Sequence, residues 1–158
     1  METEYHTVKG SEILSGDLPP TGLDPRTNGK IFQIWECLKT EDPAVEVHYT
    51  HINAGHDVGA HMHPDATHYL IIIKGIAHVW IDGEVIILEE GDFLEIPRYK
   101  YHNFSADPNT DVWDLSVTHP GWELAEMQYD AEFGEKNKIQ EALEKSWKLT
   151  EKRFSGAG

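Results

Sequence analysis

The rhythm of the chain between Ile31 and Val117 is its strongest constraint, because short β-branched and aromatic runs alternate there with Gly, Pro and Asp. IFQIWECL (31–38) and AVEVHYTHI (44–52) are separated by the polar break TEDP, the pattern of an antiparallel hairpin. HYLIIIKG, AHVWI, EVIILEEGD and FLEIP follow, then the loop RYKYHNF and the run DVWDLSV. Between AHVWI and EVIIL, Asp82-Gly83 falls where a tight hairpin turn needs residues that tolerate positive φ. Strands this short and this regularly spaced predict an all-β antiparallel sandwich or barrel and not alternating βαβ units.

The two ends of the chain read differently. Residues 1–30, with SGDLPPTGLDPRTNGK at their centre, have the Gly, Pro and Asp content of an irregular arm laid over a scaffold. From Glu135 to Arg153, Ile139, Ala142, Leu143, Trp147 and Thr150 share one helical face, while Glu141 with Lys145 and Glu144 with Lys148 form i,i+4 pairs. That pattern predicts an amphipathic helix packed on the barrel or on a second subunit. At 158 residues the chain suits a single domain. We read it as an arm (1–30), a β-barrel (31–120) and a helical carboxyl-terminal extension (121–158).

Charge and cysteine usage narrow the function classes. Thirteen basic against twenty-eight acidic residues leave a formal charge of −15, which repels nucleic acid and anionic membranes. Cys37 is the only cysteine, so an intrachain disulfide or a multi-thiolate zinc site is excluded, and any metal must be held by nitrogen and oxygen. METEYHTVKGSEIL lacks a basic region followed by an apolar one, and no segment approaches the roughly 20 apolar residues that span a bilayer. A cytoplasmic protein is the expectation. Neither a phosphate-binding Gly-rich loop nor a G-x-S-x-G elbow is present.

Histidine spacing carries the chemistry. His61 and His63 are two apart, so on a strand they leave the same face, and His68 lies beyond the turn-like Pro64-Asp65-Ala66-Thr67. Imidazoles gathered in this way suit iron, manganese, nickel, copper or zinc. A loop of solvated histidines is the plain alternative on spacing alone. His102 follows a strand ended by Pro97.

The run Gly55-x5-His61-x-His63-x4-His68-x6-Gly75 resembles the first motif of the cupin superfamily, and Gly91-x5-Pro97-x4-His102 resembles the second, with fifteen residues between Gly75 and Gly91. The resemblance covers about residues 31–120. It implies a double-stranded β-helix, a jelly-roll-like barrel, in which His61, His63 and His102 match three metal-binding histidines. His68 stands where the family usually has glutamate, Tyr99 where it usually has glycine, and Ala106 where it often has asparagine. A site of four histidines, His61, His63, His68 and His102, is therefore the expectation, holding one divalent transition-metal ion, iron or manganese before nickel or zinc.

Four neutral ligands leave a divalent centre formally +2, a state that favours an incoming oxyanion. The function expected from the resemblance is oxidation of a small oxygen-bearing organic substrate, as by a dioxygenase. The alternatives are Lewis-acid isomerase or lyase chemistry, and a non-catalytic binding protein for a sugar or acid. Glu95 is a candidate general base if it faces the interior and a solvated strand residue if it does not. Tyr69, Tyr101 and Tyr99 are candidate hydroxyl donors or packing residues. His48, His51 and His78 sit in predicted strands, where packing is the default; His119 and Trp122 follow the last strand as candidate rim residues, and His6 and His56 look incidental. Trp35, Trp80 and Trp113 read as packing residues. Open sheet edges such as IFQIWECL predict a homodimer, or cover by the arm.

Overall fold

The computed structural model describes residues 6–24, 27–41, 44–120, 128–129 and 136–154. In chain order these form helix α1 (Gly10–Leu14), strands β1 (Gly22–Leu23), β2 (Phe32–Lys39), β3 (Glu46–Ile52), β4 (His61–Met62), β5 (Thr67–Lys74), β6 (Ala77–Ile81), β7 (Glu84–Leu88), β8 (Phe93–Ile96), β9 (His102–Ala106), β10 (Val112–His119) and β11 (Gln128–Tyr129), and helix α2 (Lys136–Glu151). The strands make a six-stranded sheet in the order β1-β2-β3-β10-β5-β8 and a five-stranded sheet in the order β11-β4-β9-β6-β7. Every pairing is antiparallel. The all-β expectation, with an amino-terminal arm and a carboxyl-terminal helix, is met.

Two local features explain the crossings. Asp82 and Gly83 both take positive φ, 50° and 97°, as the hairpin between β6 and β7 requires. Gly75 has φ 92°, and a Cβ there would sit on the Asp111 carbonyl oxygen, so only glycine lets β5 pass that backbone on its way to the other sheet.

Strand alternation directs Phe32, Ile52, Leu70, Ile72, Val79, Ile96, Phe104 and Val112 into one core between the sheets. The outer face of the small sheet is covered by α2, whose Ile139 and Leu143 pack on Trp80. The helix lies on the barrel, and its buried stripe, Ile139, Leu143, Ser146 and Thr150, follows the periodicity read from the sequence. The arm is more ordered than an irregular segment. β1 extends the sheet beyond β2, Ile13 of α1 is buried, and the Trp35 indole donates to the Leu18 carbonyl at 2.9 Å. Asp24 anchors this arm. Burial alone would raise its pKa, but hydrogen bonds from Thr27, Ile31 and Phe32 hold the carboxylate at about 2. Among the described residues no helix is long and apolar enough to cross a membrane.

Candidate metal centre

Sheet register gives the barrel interior a polar end and an apolar end. In the large sheet, His68 pairs with Thr118, Thr118 with Glu46, and Ser116 with His48, whereas Val112 and Phe32 both pair with Ile52 several residues along. In the small sheet, His61 pairs with His102, while Val79 pairs with Phe104 and Ala77 with Ala106 farther along. Both polar ends face each other, because the rings of His63 and His68 are 5.7 Å apart and those of His68 and His102 6.2 Å. The cavity between them, about 80 Å³, is lined by all four histidines, by Ile52, Leu70, Ile96 and Phe104, and by His48, Thr50, Asp114 and Ser116.

His61, His63 and His102 are at most 5 % exposed, and each presents a nitrogen within 4.8 Å of the others. Backbone carbonyls set two of these rings. Nδ1–H of His61 donates to Gly59 O and that of His102 to Lys100 O, both at 2.8 Å, which turns each Nε2 lone pair inward. Nε2 of His102 is buried and meets no hydrogen-bonding group among the described residues. Burial, reinforced by the neighbouring rings, pushes the His63 pKa down to about 2 and those of His68 and His102 to about 3. These imidazoles are uncharged at neutral pH, the form in which they donate to a metal ion.

His68 is set slightly apart. Its Nε2 lies 3.0 Å from Ser116 Oγ, and Ser116 donates its only hydroxyl proton to Asp114 Oδ1 at 2.7 Å. With Asp114 ionised, Ser116 Oγ accepts from His68, so Nε2 carries the proton and Nδ1 keeps its lone pair. That Nδ1 is also buried without a hydrogen-bonding partner. A donor set of neutral imidazoles with such orphaned nitrogens fits a divalent transition-metal ion.

Asp114 is the residue that sequence reasoning missed. It is 3 % exposed, and burial raises its pKa to about 7 against the opposing hydrogen bond from Ser116. Its signal was the alternation Val112, Asp114, Ser116, Thr118, a polar row that lies inside because Trp113 points the other way, stacking on His51 and lining the groove under α1. The candidate acid–base and hydroxyl residues lie elsewhere. Leu94 and Ile96 turn inward, so Glu95 is exposed on the outer face opposite Tyr69, which stacks on Phe93. Tyr101 packs beside Trp80 under α2. Tyr99, 65 % exposed, takes φ 64°, the conformation for which the cupin motif usually supplies glycine, and its amide donates to the carbonyl of His63. His48 lines the cavity, His51 stacks on Trp113, and His78 is buried beneath α2. His119 is exposed with Nδ1 3.1 Å from the Ala44 carbonyl oxygen, His6 and His56 are exposed, and Trp122 lies outside the described residues.

Two antiparallel sheets closed around a histidine-lined cavity define a double-stranded β-helix. Residues 48–117 match the family described as the cupin domain. Among solved structures it is similar to KdgF from Halomonas sp. (18% identity, 68% of this chain and 92% of that one, TM-score 0.57). It is also similar to a protein with a double-stranded β-helix domain from Klebsiella pneumoniae (22%, 58% and 79%, TM-score 0.53) and to a predicted oxalate decarboxylase from Thermotoga maritima (21%, 56% and 79%, TM-score 0.53). At these identities the likeness is one of fold. No curated protein matches the sequence.

Proposed function

We propose that this chain is a metal-dependent enzyme that holds one divalent transition-metal ion through His61, His63 and His102, with His68 as the fourth ligand, and acts on a small oxygen-bearing organic substrate. The observation that carries this reading is the convergence of buried imidazoles on one point, with His102 Nε2 and His68 Nδ1 left without a hydrogen-bonding partner. When bound, the ion supplies Lewis acidity and open coordination positions; iron and manganese are favoured, and nickel or zinc suit the same donors. The protein contributes the rest. Gly59 and Lys100 carbonyls orient two rings, and Ile52, Leu70, Ile96 and Phe104 keep bulk water from the inner end of the cavity.

Oxidation of the substrate by dioxygen is the reaction we favour, supported by neutral ligands that leave room for substrate and by the apolar inner wall. Oxygen uptake by iron- and manganese-loaded protein across a panel of chelating substrates tests it; no uptake with any of them counts against oxygenase chemistry. A second reading, isomerase or lyase chemistry, is favoured by the Asp114 carboxyl inside the cavity. Turnover that persists under strict anaerobiosis separates the two. We further propose that residues 1–158 act as one domain, as a cytoplasmic homodimer. The apolar side chains of Ile71, Ile73 and Phe93 exposed on the outer face of the large sheet support an assembly, which a monomeric mass in light scattering would contradict.

A further inference from the structure

We propose that Asp114 is the proton-transfer residue of this site, and that its substrate is a small oxyanion bearing a C–H bond beside a carbonyl group, as in the 2-oxo acids. The inference rests on the metal-centre reading above and deepens its second form, isomerase or lyase chemistry.

Size is the first argument. The cavity measures about 80 Å³ where a single water needs roughly 10–15 Å³ on the same scale, so its inner space holds only a handful of a ligand's heavy atoms. Charge is the second. A divalent ion among neutral imidazoles is a centre of uncompensated positive charge, which selects an anionic, chelating group. Placement is the third. Asp114 lines the same cavity as the four histidines, the only carboxylate residue among its lining residues. Ser116 engages Oδ1 and so fixes the carboxyl plane, leaving Oδ2 for a ligand. Burial raises the pKa of this carboxyl in the metal-free protein, which makes it a stronger proton acceptor than an exposed carboxylate.

The step balances without a co-reactant. The C–H bond α to the carbonyl breaks, its electron pair forms the C=C bond of an enolate as the carbonyl pair moves to oxygen, and Asp114 Oδ2 takes the proton. Its return to the same carbon regenerates the substrate, and its return to a neighbouring centre gives an isomer. Nothing is oxidised or reduced. Ser116 is a positioning residue in this scheme, since it touches Asp114 and not the reacting atoms.

The test uses metal-loaded full-length protein with pyruvate and 2-oxobutyrate as probes, following α-proton exchange with deuterium oxide by proton NMR, with metal content measured on the same samples. Wild-type protein is expected to accelerate exchange of at least one probe, and Asp114→Asn to lose about 10²–10⁴-fold of that acceleration with its metal content intact. Infrared spectroscopy of the metal-free protein provides a readout independent of turnover: a protonated-carboxyl band present at pH 6, lost above pH 8, and missing from Asp114→Asn. Should Asp114→Asn fail to fold, Ser116→Ala serves, with a smaller loss of exchange and a shifted carboxyl band. Metal-loaded wild type that exchanges neither probe, or an Asp114→Asn protein that exchanges as fast as wild type, overturns the proposal and leaves the metal centre standing. Protein that binds no metal overturns the metal-centre reading instead.

Discussion

On the helix side of the small sheet, His78 uses both of its ring nitrogens. Nε2–H donates to Asp107 Oδ2 at 2.8 Å, Nδ1 accepts from Ser146 at 2.5 Å, and Thr150 adds a second donor to the same carboxylate oxygen. His78 and Asp107 are wholly buried. In the barrel interior, on the other face of that sheet, His102 is buried and His68 half-buried, yet each keeps a buried nitrogen that no group among the described residues meets. A buried polar group left unsatisfied costs roughly 1–3 kcal/mol, so the fold bears at the cavity a cost that it avoids at the His78 ring. The difference teaches how to sort buried histidines. A satisfied ring ties elements together, here β6, α2 and the β9–β10 turn; an unsatisfied one is kept for something that arrives from outside.

Removing a ring from each cluster is the sharpest way to break the comparison. His102→Ala is expected to abolish metal retention, seen by elemental analysis, while the circular dichroism spectrum stays that of the folded barrel. His78→Ala is expected to do the reverse. It takes one hydrogen bond from the buried Asp107 carboxylate and lowers stability in urea by about 1–3 kcal/mol, with metal content unchanged. If His78→Ala lost the ion and kept its stability, the division between the two clusters would fail.

Asp114 allows a sharper contrast with Asp107, through pH. Burial raises the Asp114 pKa from 3.8 to about 7 in the folded, metal-free protein, whereas hydrogen bonds from Thr150 and His78 outweigh burial and lower that of Asp107. A raised carboxyl pKa means that the folded state binds more protons than the unfolded one between pH 4 and 7. Stability therefore falls as pH rises through that window. Metal-free Asp114→Asn is expected to be more stable than wild type at pH 8 by up to about 4 kcal/mol, the gap closing as pH approaches 4 in denaturant titrations. A gap that does not change with pH would remove the case for a carboxyl titrating inside the cavity.

The smallest effect belongs to the carboxylate that points away. Glu95→Gln, on the outer face opposite Tyr69, is expected to alter stability by no more than about 0.5 kcal/mol and to leave metal content at the wild-type level in the same assays.

Much of this was legible in the sequence, and the limit falls at one physical point. Strand identity, the Asp82-Gly83 turn, the buried face of α2 and the spacing of the metal-site histidines all depend on local chemistry, which a sequence carries directly. The inward or outward sense of a strand does not. In FLEIP, Leu94 and Ile96 are the inward pair, so Glu95 is outside. In DVWDLSVTH the usual rule inverts. Trp113 turns outward, where α1 lies over it, and the polar row Asp114, Ser116 and Thr118 lines the interior. A rule that buries apolar residues picks the wrong face wherever the interior holds a polar cavity and the exterior has a cover. The covering arm and helix were themselves readable, but what each would cover was decided by tertiary packing.

The central claim is that the orphaned imidazole nitrogens of the barrel exist to hold one metal ion. Elemental analysis of protein purified without added metal, wild type beside His102→Ala, tests it most directly. About one equivalent of a divalent transition metal per wild-type chain, lost in the variant, is the expected result. A wild-type protein that carries no transition metal, and takes up none on incubation with iron, manganese, nickel or zinc, would contradict it.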